Sequence, residues 1–246
     1  MKAIILAAGY ATRLYPLTLN TPKALLTVGK QTILDFVVDE IKTIGEVDEI
    51  IIITNDKFYL QFCEWSEKTQ GSIKITVLND NTSDDTNKLG AIGDIQFVID
   101  AMGINDDILI MASDNIFTFK LVDFYNEFKN KNKDMILVAK IENKEELKRM
   151  ANVVLAEDGK VINMVEKPST PISNLAAFAS YFYKKETVPM IKEYLTQGNN
   201  PDAPGFLPSW LCTKKDVYAY EFKGECYDIG THEAYNEIRE LFKDKE

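Results

Sequence analysis

The feature that most constrains this chain is the alternation of short β-branched runs with amphipathic stretches through its first half. Lys2–Leu6 (KAIIL) and Glu49–Thr54 (EIIIIT) are apolar runs of strand length, bounded by polar residues. Between them Ile33, Leu34, Val37, Val38, Ile41 and Ile44 recur at the interval that gathers them on one face of a helix near residues 31–45. Strands buried on both faces, alternating with one-sided helices, predict βαβ units and a mostly parallel sheet with helices on both faces. A helix near 57–69, a strand Ile73–Leu78, a helix near 89–102 and a strand Asp107–Ala112 continue the pattern.

From about residue 134 the rhythm changes. Met135–Ile141, Val153–Leu155, Val161–Val165 and Ala176–Tyr183 follow one another as strands, and Glu157-Asp-Gly-Lys160 is a hairpin signal between two of them. This predicts an antiparallel insert on the parallel sheet, followed by helices near 186–196 and 231–243. No repeat, low-complexity tract or linker interrupts the 246 residues, so one α/β domain over 1–246 is expected.

A net charge of −10 argues against nucleic acid or an anionic membrane as a partner. Three cysteines without CxxC spacing fit neither a disulfide framework nor a zinc site and suit a reducing, cytoplasmic setting. The opening residues lack a signal-peptide apolar region, and no run approaches the ~18 apolar residues of a membrane span. Association into a homo-oligomer is compatible with this composition.

The loop after the first strand is the chemical landmark: LAAGYATRLYPLTLNTPKALL, residues 6–26. Gly9 suits a tight turn with unusual backbone angles. It equally suits a phosphate cradle, in which backbone N–H groups face an anion while Arg13 and Lys23 supply charge. Only three of the 28 basic residues are arginines, and one is placed here. Neither G-x-G-x-x-G nor G-x-x-x-x-G-K-[ST] is present, which sets aside the dinucleotide and P-loop readings. Two acids also stand out. Asp114, in Ala112-Ser-Asp-Asn115, lies past the carboxyl end of a predicted parallel strand, where ligands sit in open α/β sheets, and is also a turn former. Asp228 precedes the last predicted helix and could simply cap it. The single histidine, His232, excludes a histidine-based triad and is expected on the surface of that helix.

The opening loop closely resembles the signature of sugar-phosphate nucleotidylyltransferases: Leu-Ala-(Ala/Gly)-Gly-x-Gly-(Thr/Ser)-Arg-Leu-x-Pro-Leu-Thr, then Pro-Lys. The resemblance implies a Rossmann-like nucleotidyltransferase fold whose antiparallel insert binds sugar. It implies a Mg²⁺-dependent reaction of a nucleoside triphosphate, dTTP or UTP favoured, with a sugar 1-phosphate; cytidylyl or guanylyl transfer to another phosphate acceptor, or a non-catalytic nucleotide-sugar sensor, are the alternatives. Arg13 and Lys23 take the catalytic roles. Leu6, Ala8, Gly9 and Gly90, together with Arg13 and Lys23, would bind the nucleotide. Asp114 and Asp228 would hold the metal, since SDNIF and YDIGTHEAY resemble the family's two acidic segments. Glu166 and Lys167, in a Glu-Lys-Pro element, would bind sugar hydroxyls and sugar phosphate, with Asn152 beside them.

Several positions depart from the pattern, among them Ser113, which stands where glycine is usual in the first acidic segment. Ala11 stands where glycine is usual, and Ala151-Asn152 where Tyr-Gly is. No arginine occurs over residues 200–205, and Gly93 or Ile92 occupies the place of the glutamine that reads pyrimidines in thymidylyl members. No segment resembles the C-terminal left-handed β-helix of several relatives, so no appended acyltransferase is expected.

Overall fold

The computed structural model describes residues 1–69, 71, 73–84 and 86–243. In chain order, β1 (Lys2–Leu6) leads through the opening loop to a small ribbon, β2 (Thr27–Val28) and β3 (Gln31–Thr32). Then come α1 (Ile33–Lys42), β4 (Glu49–Thr54), α2 (Tyr59–Lys68), β5 (Lys74–Asn79), α3 (Ala91–Met102), β6 (Ile108–Ala112) and β7 (Asn115–Phe117). The second half contains α4 (Leu121–Lys131), β8 (Asp134–Lys140), α5 (Lys144–Leu147), β9 (Ala151–Leu155), β10 (Val161–Val165) and β11 (Leu175–Tyr183). It ends with α6 (Val188–Thr196), α7 (Phe206–Leu211), β12 (Val217–Glu221), β13 (Cys226–Asp228) and α8 (His232–Leu241).

One mixed sheet organises these elements, with β10-β9-β11-β6-β1-β4-β5 along its main path and β8 and β12 continuing from β11. β6, β1, β4 and β5 are parallel, whereas β11 runs antiparallel to β6, β8 and β9. Strand residues alternate between two cores because successive side chains point to opposite faces. Ala3 and Ile5 pack under α1, α2 and α4 with Phe62, Phe124 and Phe128. Ile4, Ile51 and Ile53 pack under α3, α6 and α7 with Ile95, Ile191 and Leu207. A third cluster, around Leu14, Val28, Ile116 and Ile229, fastens α8 to the opening loop and the ribbon.

Every helix and strand expected from the sequence is present within two or three residues of its expected ends. β2, β3, β7, α4, α5, α7, β12 and β13 were not anticipated. α4 carries its buried residues at 121, 124, 125 and 128, a regular helical interval obscured by surrounding Asn and Lys. β12 alternates weakly and owes its state to parallel pairing with β8.

Candidate active site

The opening loop is built so that its carbonyls face the protein and its amides do not. Leu6 O accepts from Ser113 N, Ala7 O from Thr54 Oγ1, and Ala8 O from Asn55 Nδ2 at 2.8 Å. The N–H groups of Ala8, Gly9, Ala11, Thr12 and Arg13 donate to no described residue. Successive unpaired amides in one turn are an anion-binding concavity. Gly9 is not at positive φ, so the turn explanation for this glycine fails. A Cβ there would meet nothing within 4 Å, and the glycine faces open space. The left-handed position falls instead on Ala11, φ 48 and ψ 43, directly before the short helical turn that carries Arg13.

Asp114 lies in the turn between β6 and β7, and the two-stranded ribbon of β7 and β13 sets Asp228 opposite Asn115, next to it in sequence. Ile229 N donates to Asp114 O at 3.4 Å. The two acids are therefore brought together by backbone pairing between distant parts of the chain. Lys23, held in a short turn after Pro22, bridges them: its Nζ lies 2.7 Å from Asp114 Oδ2 and 3.4 Å from Asp228 Oδ1. Solvent reaches Asp228, yet the protein wall behind it and then the Asp114 carboxylate raise its pKa, against the pull of Lys23 and Arg13.

Glu166, directly after β10, is buried against Gly205, whose missing Cβ leaves room for the carboxylate. Burial raises its pKa, and Lys167 partly offsets this. Lys167 follows at φ 46, a left-handed conformation uncommon outside glycine, which sends neighbouring side chains in different directions. Its Nζ is 3.9 Å from Glu166 Oε1.

These groups surround connected cavities. One of about 420 Å³ is lined by Gly9, Asp114, Glu166, Lys167 and Asp228 among others. A wider cleft of about 1000 Å³ contains Arg13 and shares Lys167 and Asp228 with it. Arg149, not singled out from the sequence, lines both and makes no ion pair with a described residue. Its signal was its rarity as one of three arginines. A third cavity, about 170 Å³, lies between Leu6, Ala8, Gly9 and Gly90.

Three sequence expectations change. Asn152 is fully buried, donating from Nδ2 to Leu147 O and Met150 O and accepting from Ile172 N, so its side chain braces β9 and does not line the cavities. Ile92 is core and Gly93 abuts Leu89; the residues that front the small cavity are Gly90, Ala91 and Asp94. His232 is half-buried and donates from Nε2 to Tyr15 O at 2.8 Å, clipping α8 to the opening loop.

The model of the nucleotidyl transferase family matches residues 2–245. This chain belongs to that family. Among curated members, a candidate mannose-1-phosphate guanyltransferase of Sulfolobus acidocaldarius is 29% identical over 97% of this chain and 62% of its own length. The mannose-1-phosphate guanylyltransferase catalytic subunit beta of Dictyostelium discoideum is 27% identical over 94% of this chain and 61% of its own. The chain thus spans somewhat under two thirds of these family members. A solved candidate glucose-1-phosphate thymidylyltransferase from Bacillus anthracis superposes with a TM-score of 0.85 at 24% identity, covering 100% of this chain and 96% of that one. The fold is therefore that of family structures.

Proposed function

We propose that this chain joins a nucleoside triphosphate to a sugar 1-phosphate, giving a nucleotide-sugar and pyrophosphate. The observation that carries the reading is the convergence of Lys23, Asp114 and Asp228 between an amide-lined loop and the Glu166–Lys167 pair. A sugar-phosphate oxygen attacks the α-phosphorus in line; a P–O bond forms as the bond to pyrophosphate breaks, and no protein nucleophile is needed. The loop amides and Arg13 hold the β- and γ-phosphates. Lys167 and Arg149 hold the incoming phosphate, Arg149 supplying the guanidinium that residues 200–205 lack. Glu166 accepts hydrogen bonds from sugar hydroxyls.

Asp114 and Asp228 suit a divalent cation, magnesium on this reading. Their oxygens already converge on one ammonium, and two carboxylates are the usual protein share for Mg²⁺ that keeps waters and phosphate oxygens. Bound there, the cation would supply charge neutralisation at the α-phosphate. Lys23 would then be free to turn toward the phosphates. The dTTP or UTP preference implied by the resemblance finds no side-chain amide among the residues lining the small cavity.

A pyrophosphate-release screen of the common nucleoside triphosphates against several sugar 1-phosphates, with and without Mg²⁺, tests the reading. Turnover that requires both substrates and the metal is expected, and Asp114→Ala or Asp228→Ala should abolish it. Near-wild-type rates in those variants would remove the metal assignment. Ligand-induced stabilisation without turnover would replace the enzyme with a sensor.

A further inference from the structure

The small cavity contains an acid that the triphosphate and sugar sites leave unused. Asp94 lies in the first turn of α3, is 6% exposed, and lines the cavity together with Leu6, Ala8, Gly9, Gly90 and Ala91. Leu6, Gly9 and Ala91 also border the catalytic cavity, so the two spaces adjoin. At about 170 Å³ the small one suits a single ring system.

Two features fix Asp94. Gly90, at φ 78, is pressed against Pro201 and Asp202, and Ala91 N and Ile92 N donate to Asp202 O and Pro201 O. The leading amides of α3 are thereby consumed, and a Lys88–Asp202 ion pair at 2.8 Å stands at the cavity wall. Behind Asp94 lies Asp80, itself 6% exposed, whose Oδ1 accepts from Thr82 N and Thr82 Oγ1 at 2.7 and 2.8 Å. Asp80 Oδ2 and Asp94 Oδ1 are both buried with no other partner, as expected of two carboxyls sharing one proton. Burial and the Asp80 charge push Asp94 up to about 8, so Asp94 carries that proton. Its other oxygen accepts from no described residue.

We propose that Asp94 reads the nucleobase, its free oxygen accepting hydrogen bonds from the adjacent N–H groups of guanine. Guanine presents the ring N1–H beside the N2 amine. Uracil and thymine present a lone N3–H between two carbonyls, which an acceptor repels, and adenine presents one amine beside an acceptor nitrogen. A single acceptor that can serve two adjacent N–H groups at once therefore ranks guanine first. The proposal rests on the nucleotidyltransferase reading and adds the base.

The test measures pyrophosphate release by the full chain with GTP, ATP, UTP and dTTP against sugar 1-phosphates, alongside thermal shifts with each nucleotide. Expected is a GTP preference in kcat/KM that falls at least ~10-fold relative to UTP in Asp94→Ala, mainly through KM because the base lies away from the reacting phosphorus. If Asp94→Ala does not fold, the double variant Asp80→Asn/Asp94→Ala, which leaves no buried carboxylate without its partner, should narrow the preference in the same direction. Turnover with UTP or dTTP preferred, or an unchanged GTP-to-UTP ratio in the variant, overturns the base assignment and leaves the enzyme reading intact. With no turnover at all the enzyme reading fails, and equal thermal shifts from GTP and UTP would then overturn the base assignment as well.

Discussion

At Ala11 a methyl group occupies a left-handed backbone position in the middle of the candidate triphosphate loop. That conformation costs an L-residue about 1–2 kcal/mol, and glycine returns part of the gain through its greater freedom when unfolded. Ala11→Gly should therefore leave urea-unfolding stability unchanged or raise it by up to about 1 kcal/mol. A loss of more than that would mean the methyl group packs usefully. Arg149 is a second residue-scale case. Arg149→Ala should raise KM for the sugar phosphate with little effect on that for the triphosphate, and an equal rise in both would move it to the triphosphate side. Gly9 and Lys167 illustrate what residue identity conveys. The glycine marked the loop correctly, although its contribution is open space and not an unusual dihedral. Nothing in the letters Glu-Lys-Pro reveals that Lys167 is left-handed.

At the scale of elements, β8 is anchored by a wholly buried acid. Asp134 is 0% exposed and accepts from Lys184 N and Thr187 Oγ1, while Lys215 Nζ lies 2.8 Å from its Oδ2. These partners come from the end of β11, the start of α6 and the segment entering β12. Because Asp134 cannot rehydrate when a partner is lost, Lys215→Met should cost about 3–5 kcal/mol in denaturant unfolding. Adding Asp134→Leu should recover part of that loss; no recovery would show that the partners, and not the unpaired charge, dominate. Sequence patterns were informative where elements carry their own periodicity, as in α1 and β4. They were weak where pairing decides. β12, β7 and β13 are short, and their state depends on strands far away in the chain.

For the whole molecule, the buried acids set opposite slopes of stability with pH. Against the cost of its burial, hydrogen bonds from Lys74, Thr76 and Lys2 hold Glu49 down to about 2. The stability it contributes is present above about pH 4.5 and is lost as pH falls toward 2. Asp94 behaves in the reverse sense. With its pKa pushed up to about 8, the folded chain holds a proton that the unfolded chain releases near pH 4, so stability falls as pH rises between those values. The groups around it are Asp80, with Asp56 behind, and the Lys88–Asp202 pair. Melting temperatures should decline from pH 5 to pH 8, and Asp94→Asn should flatten the decline. An identical slope in the variant would show that Asp94 is ionised in the fold.

The sequence alone determined the class of fold, the order of most elements and the position of the glycine-bearing opening loop. Local periodicity and glycine placement report on a residue's immediate backbone, and those features are local. It also singled out Arg13, Lys23, Asp114, Glu166, Lys167 and Asp228, each with an ordinary structural explanation when taken alone, and only the family resemblance joined them into one expected site. Tertiary structure decided which of them meet. Pairing of β7 with β13 brings Asp228 to Asp114, Lys23 bridges the two, and the same folding withdraws Asn152 into backbone bracing. It also placed Asp94 over Asp80 at the edge of a cavity. Proximity between residues distant in the chain, and the change in dielectric that follows burial, come from packing and are not written in any short stretch of sequence.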